Sequence, residues 1–110
     1  MVFRSRRLRS RPGNIPVRVL RAGHERWTRG HAIWVSDVFA WRGSPAAWAE
    51  ELVHVISVQD RPATPAEGSK LHRLGEDLAV VELSGPGDET LTVAAAGSHR
   101  SALLGPFAAS

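Results

Sequence analysis

From Ile15 to Arg42 the chain alternates short β-rich runs with turn signals. Val17 and Val19 flank Arg18, the two-residue alternation of a strand with one buried face. Ala22-Gly23-His24 supplies a turn, Arg26 to Val35 is a second β-rich run, and Ser36-Asp37 reads as a tight reversal into Val38–Arg42. These residues predict a three-stranded meander. Gly30 interrupts the second run and predicts a bulge or sharp bend, because glycine weakens a regular strand.

Further strands follow. Val53 to Val58 is β-branched and alternating, and predicts a fourth strand after at most one helical turn across residues 46–51. Arg61-Pro62-Ala63-Thr64-Pro65 reads as a linker, since its two prolines cannot sustain ladder pairing. Ala66 to Leu74 is open to a helical turn or a short strand. Leu78–Leu83 and Thr90–Ala95 predict a hairpin around Ser84–Asp88, with Leu91, Val93 and Ala95 sharing a face. Ser98 is placed to cap a closing helix over His99–Leu104, which Gly105-Pro106 ends.

Six or seven consecutive strands with short loops make antiparallel sheet that must curl or divide into two layers. The expected fold is mainly β: a small antiparallel barrel or two-sheet roll with one C-terminal helix. This order resembles the pleckstrin-homology-like barrel, including its GRAM subgroup. At 110 residues the chain is long enough for one such core. Residues 15–108 are read as a single domain, preceded by a basic, flexible arm at residues 1–14.

Charge is unevenly placed. The net charge is +3, yet residues 1–29 hold nine arginines against one acid, Glu25, while the rest holds five bases and ten acids. Arg4, Arg6, Arg7, Arg9 and Arg11 crowd the arm, and Arg18 and Arg21 extend the basic edge along the first strand. Such a segment attracts anionic lipid headgroups, or nucleic acid through counterion release. These seven arginines are the candidate binding residues for an anionic partner.

Catalytic and cofactor chemistries find no support. With no cysteine, the chain has no disulfide, thiolate zinc site or cysteine nucleophile. Its five histidines form no HxH or HExxH pair, and Glu51-x-x-His54 is one carboxylate–histidine pair where a diiron site needs two. There is no GxSxG elbow. Ser36-Asp37 reads as a turn and Ser98-His99 as a cap, and the acidic pairs Glu50-Glu51, Glu76-Asp77 and Asp88-Glu89 read as solvated element boundaries. Gly85-Pro86-Gly87 lacks the lysine of a phosphate loop. The expectation is a non-enzymatic module with no metal and no cofactor.

The four tryptophans, Trp27, Trp34, Trp41 and Trp48, recur every seven residues among Arg26, Arg29 and Arg42. Stacked on one face they would suit single-stranded RNA. Odd spacing instead sends successive residues to opposite sides of a strand, so some are expected in the core and some at a rim. A small nucleic-acid-binding barrel using the arm and exposed tryptophans is therefore the alternative reading.

The arginine-rich residues 4–11, RWTRG leading into a strand, WRGS and a closing helix together resemble domain-of-unknown-function family 2550. These are small membrane proteins of high-GC Gram-positive bacteria. The resemblance implies a pleckstrin-homology-like domain on the cytosolic side of the inner membrane, behind a transmembrane helix and a basic juxtamembrane stretch. It implies binding to a protein or to anionic lipid, with no assigned activity. No apolar run of bilayer-spanning length occurs in this sequence. The expectation is thus a chain starting downstream of that helix, or a soluble relative at the cytoplasmic membrane face.

Overall fold

The computed structural model describes residues 15–43, 51–75 and 77–107. The meander is present as β1 (Ile15–Arg21), β2 (Thr28–Val35) and β3 (Val38–Gly43). Gly23 takes φ 81° in the first turn, and Ser36, at φ 55°, makes the two-residue reversal into β3. Two short strands follow, β4 (Glu51–His54) and β5 (Ser57–Arg61), then α1 (Pro65–Lys70) and a 3-10 turn at His72–Leu74. The hairpin of β6 (Leu78–Ser84) and β7 (Thr90–Ala96) leads through a 3-10 turn at Gly97–His99 into α2 (Arg100–Leu104). The helical turn expected before β4 lies outside the described residues, as do the arm and Trp48.

All pairings are antiparallel, and the seven strands run in the order β4-β3-β2-β1-β7-β6-β5. The two strands at opposite ends of that order are joined only by Val55-Ile56, so the sheet must roll round on itself. At this corner the Val55 N–H donates to the Asp37 carbonyl at 3.0 Å, and the next N–H, of Ile56, donates to the Ser84 carbonyl at 2.8 Å. Successive backbone groups of a strand point to opposite sides, so one segment binds β3 before the corner and β6 after it. The single strand expected over Val53–Val58 is therefore two strands with a buried corner at Val55.

The roll has a filled interior. Ile15, Val17, Val19, Phe39, Trp41, Val81, Leu83 and Val93 are buried together, and Leu103 of α2 reaches the same core. Each such aliphatic side chain withdrawn from water contributes about 1.5–3 kcal/mol. β6 and β7 are buried on their outer faces too. Leu71 and Leu74 from the segment after β5 cover Leu78, Val80 and Ala94, with Trp27 and Ala63 at the margin.

Two further expectations need correction. Gly30 is no bulge: the ladder passes through it unbroken, with Val17 on one side and Gly43 on the other. Glycine is needed because a Cβ there would collide with the Arg42 carbonyl. Ser98 caps nothing. It lies inside the 3-10 turn, and α2 starts from His99 without a side-chain cap.

Candidate anion-binding face

Alternation along β1, β2 and β3 turns Val17, Ala32 and Trp41 inward, and their neighbours Arg18, His31 and Arg42 outward. The register sets these outward residues in rows. Arg18 stands opposite Arg29, and His31 opposite Arg42. Directly opposed side chains on neighbouring strands are roughly 5 Å apart at Cβ, close enough for like charges to repel. Arg73, from the 3-10 turn after α1, is near enough for its charge to act on Arg18. Partial burial, followed by the charges of Arg29 and Arg73, holds the Arg18 pKa below the usual arginine value. Among the described residues the Arg18 side chain donates only to its neighbour's carbonyl, Val17 O, at 3.3 Å.

Among the described residues, Arg18, Arg29, Arg42 and Arg73 form no ion pair. Arg61, three strands along the same cross-strand row, and Arg100 differ. Arg61 is bound by Glu67 at 2.7 Å and Glu82 at 2.9 Å, and Arg100 is bound by Asp60. Guanidiniums without a carboxylate partner among the described residues are an arrangement suited to an external anion, which arginine engages through its planar fork of donors.

Of the arginines expected to bind an anion, Arg18 lies at the centre of this face. Arg21 does not join it. It ends β1 on the inward-facing side, where its guanidinium makes a bidentate contact with Glu51 (Nη1 to Oε2 at 2.7 Å) and lies 5.3 Å from the Trp41 ring centroid. Arg4, Arg6, Arg7, Arg9 and Arg11 lie outside the described residues. Arg29 and Arg42, read from the sequence only as companions of the tryptophans, belong to the same face as Arg18. A hairpin register centred on Ser36-Asp37 would have placed Arg42 beside His31. Arg73 carries no sequence signal, because only the folding of residues 62–75 over the sheet brings it there.

The three described tryptophans do not form a platform. Trp41 is buried. Trp34 points inward, donating its Nε1–H to the Leu103 carbonyl at 3.0 Å and packing on Phe39 and Phe107. Trp27 is on the outer side, half-buried against the Leu71 cluster.

Other candidate chemistry disperses. Glu51 and His54 stand on opposite faces of β4, with His54 bound to Asp37 at 3.0 Å instead. The described residues contain no cluster of three or more His, Asp or Glu that could hold a metal ion. A cleft of about 540 Å³ lies between β4, the β1–β2 turn and the β6–β7 hairpin, with Arg21, Glu51 and Glu89 at its rim. No described helix is long and apolar enough to cross a membrane.

Fold and site together define a small antiparallel β roll with a C-terminal helix and one basic outer face. Compared with protein-family models, curated proteins and solved structures, the chain has no match.

Proposed function

We propose that this chain is a non-enzymatic pleckstrin-homology-like interaction module that docks on anionic lipid headgroups at the inner membrane face, and that it is akin to family 2550. The observation that carries this reading is the Arg18–Arg29 pair with Arg73 beside it, three guanidiniums without carboxylate partners among the described residues. β1 begins at Ile15, and in the sequence only Pro12-Gly13-Asn14 separates it from the arginine-rich residues 4–11. Each basic side chain near a charged bilayer contributes about 1 kcal/mol, enough for weak, reversible docking by several together. The inward placement of Trp34 and Trp41 favours this reading over a base-stacking RNA platform, which needs exposed rings.

Vesicle co-sedimentation tests the proposal. Phosphatidylglycerol-containing vesicles should retain the chain and pure phosphatidylcholine vesicles should not, with retention falling as salt is raised. Neutralising Arg18, Arg29 and Arg73 together should lower retention, and neutralising Arg4, Arg6, Arg7, Arg9 and Arg11 should lower it further. Retention indifferent to lipid charge, or single-stranded RNA binding that quenches tryptophan fluorescence at low salt, would overturn it.

A further inference from the structure

Among the described strands the roll is open along one side of β4 and one side of β5, the two ends of the strand order. β3 pairs with Glu51–His54 on one side, while no described strand pairs with the other. The corner identifies which backbone groups are left over. Val55 N–H turns to β3 and Ile56 N–H turns away from it, so by alternation Leu52 and His54 direct their backbone groups away from β3. The position of Gly85 agrees, since a Cβ built there would lie 3.3 Å from the His54 carbonyl oxygen. β4 and the β6–β7 hairpin thus diverge from the corner as a wedge, and the 540 Å³ cleft fills it.

Among the described residues no lysine, proline or bulge blunts this edge, and its charged residues Glu51 and His54 are paired with Arg21 and Asp37. Natural edge strands are blunted by lysine, proline, bulges or a covering element. β5 follows that rule, because Pro62 follows it at once. β4 instead exposes Leu52, at 66 % of its surface, beside a cleft lined by Val53, Leu83 and Leu91. The rim is acidic on balance. Arg21 already neutralises Glu51, whereas Glu89 contacts only the Gly87 N–H, at 3.0 Å, and forms no ion pair among the described residues. Asp88 precedes it in the same hairpin loop.

The geometry points to a peptide-docking edge: an extended segment of a partner protein, with an apolar residue for the cleft and a basic residue for Glu89, adds as a strand to β4. The main chain would bond to Leu52 and supply affinity, while the cleft and Glu89 supply selection. This site is separate from the arginine face and stands whether or not that face binds lipid.

The probes are capped synthetic peptides alternating valine and threonine, ending in lysine or in glutamate, titrated into the isotope-labelled full chain. The lysine peptide should shift the amides of Leu52, His54 and Gly85 and slow hydrogen exchange at the Leu52 N–H. The glutamate peptide should bind several-fold more weakly. Leu52→Pro removes the free N–H without touching the β3 ladder and should weaken the lysine peptide about threefold to tenfold, the effect of one hydrogen bond. Glu89→Lys, in an exposed loop, should reverse the preference between the peptides. Shifts at Leu83 and Leu91 without protection at Leu52 would make the cleft a small-molecule pocket and overturn the proposal. So would shifts of these amides with protein concentration alone, which would assign the edge to a second copy, or no shift at all.

Discussion

Arg18 on β1 and Arg29 on β2 stand directly opposite one another on the outer face of the roll. Two like charges at such a position oppose folding, by about 0.2–1 kcal/mol for a cross-strand pair, and Arg73 adds to the repulsion. A fold that retains this arrangement sets stability against the attraction of an anion. Arg29→Glu should convert the repulsion into a cross-strand ion pair. The expected outcome is a higher urea midpoint, by about 0.5–1 kcal/mol in stability, together with weaker retention on phosphatidylglycerol vesicles. A variant gaining stability without losing vesicle binding would detach this pair from the proposed function.

Arg61 is a structural counterpart to these arginines. Its guanidinium binds both carboxylate oxygens of Glu67, at 2.9 and 2.7 Å, and also Glu82. Glu67 closes a capping box as well, accepting the Thr64 N–H while its own N–H bonds the Thr64 hydroxyl. The Arg61 hydrogen bonds, outweighing burial, hold the Glu67 carboxyl below the usual carboxylate range. A carboxyl whose pKa is lowered by folding stabilises the native state above its unfolded pKa, and that contribution is lost as pH falls through the folded value. Stability should therefore decline below about pH 4, and Glu67→Gln should flatten that part of the profile. Denaturant melts followed by circular dichroism across the acid range would show it.

The same segment shows what the sequence made legible. Thr64-Pro65-Ala66-Glu67 carries a capping-box pattern with proline at the first helical position, a signal that decides for the helix over a strand at the start of Ala66–Leu74. The meander and the β6–β7 hairpin were legible because alternation and turn residues agreed. The corner at Val55-Ile56 was not, because a strand that changes partners keeps its apolar alternation while its hydrogen bonds change sides. Within the basic face, Arg18 was legible from local charge density. Arg29 and Arg42 needed the hairpin register, and Arg73 needed the tertiary fold.

Trp34 and Trp41 offer a matched contrast inside the roll. Trp34 Nε1 donates to the Leu103 carbonyl, tying β2 to α2, whereas the buried Trp41 Nε1 has no hydrogen-bond partner among the described residues. Trp34→Phe should cost about 1–2 kcal/mol, since it leaves the Leu103 carbonyl without this donor and trims the ring against Phe39 and Phe107. Trp41→Phe loses packing volume but removes an unsatisfied donor, so the two effects offset in part. Equilibrium unfolding of both variants should show the larger loss at Trp34, with faster amide exchange in α2 for that variant alone.

Gly30 and Ser36 test the backbone itself, in opposite directions. At Gly30 any side chain would collide with the Arg42 carbonyl, a backbone atom held in the β2–β3 ladder and unable to yield by rotation. Gly30→Ala should destabilise by about 1–3 kcal/mol, the range for a group forced into filled space. Ser36 has the opposite problem. As the first residue of a two-residue reversal it sits at φ 55°, where an L-residue with a Cβ pays about 1 kcal/mol that glycine avoids. Ser36→Gly removes this strain but gives the unfolded chain more freedom, which takes back roughly half or more of the gain. A net stabilisation of about 0.5 kcal/mol or less is expected, with the β2–β3 register unchanged. Thermal melts of the two variants should move in opposite directions, Gly30→Ala down by several degrees and Ser36→Gly slightly up.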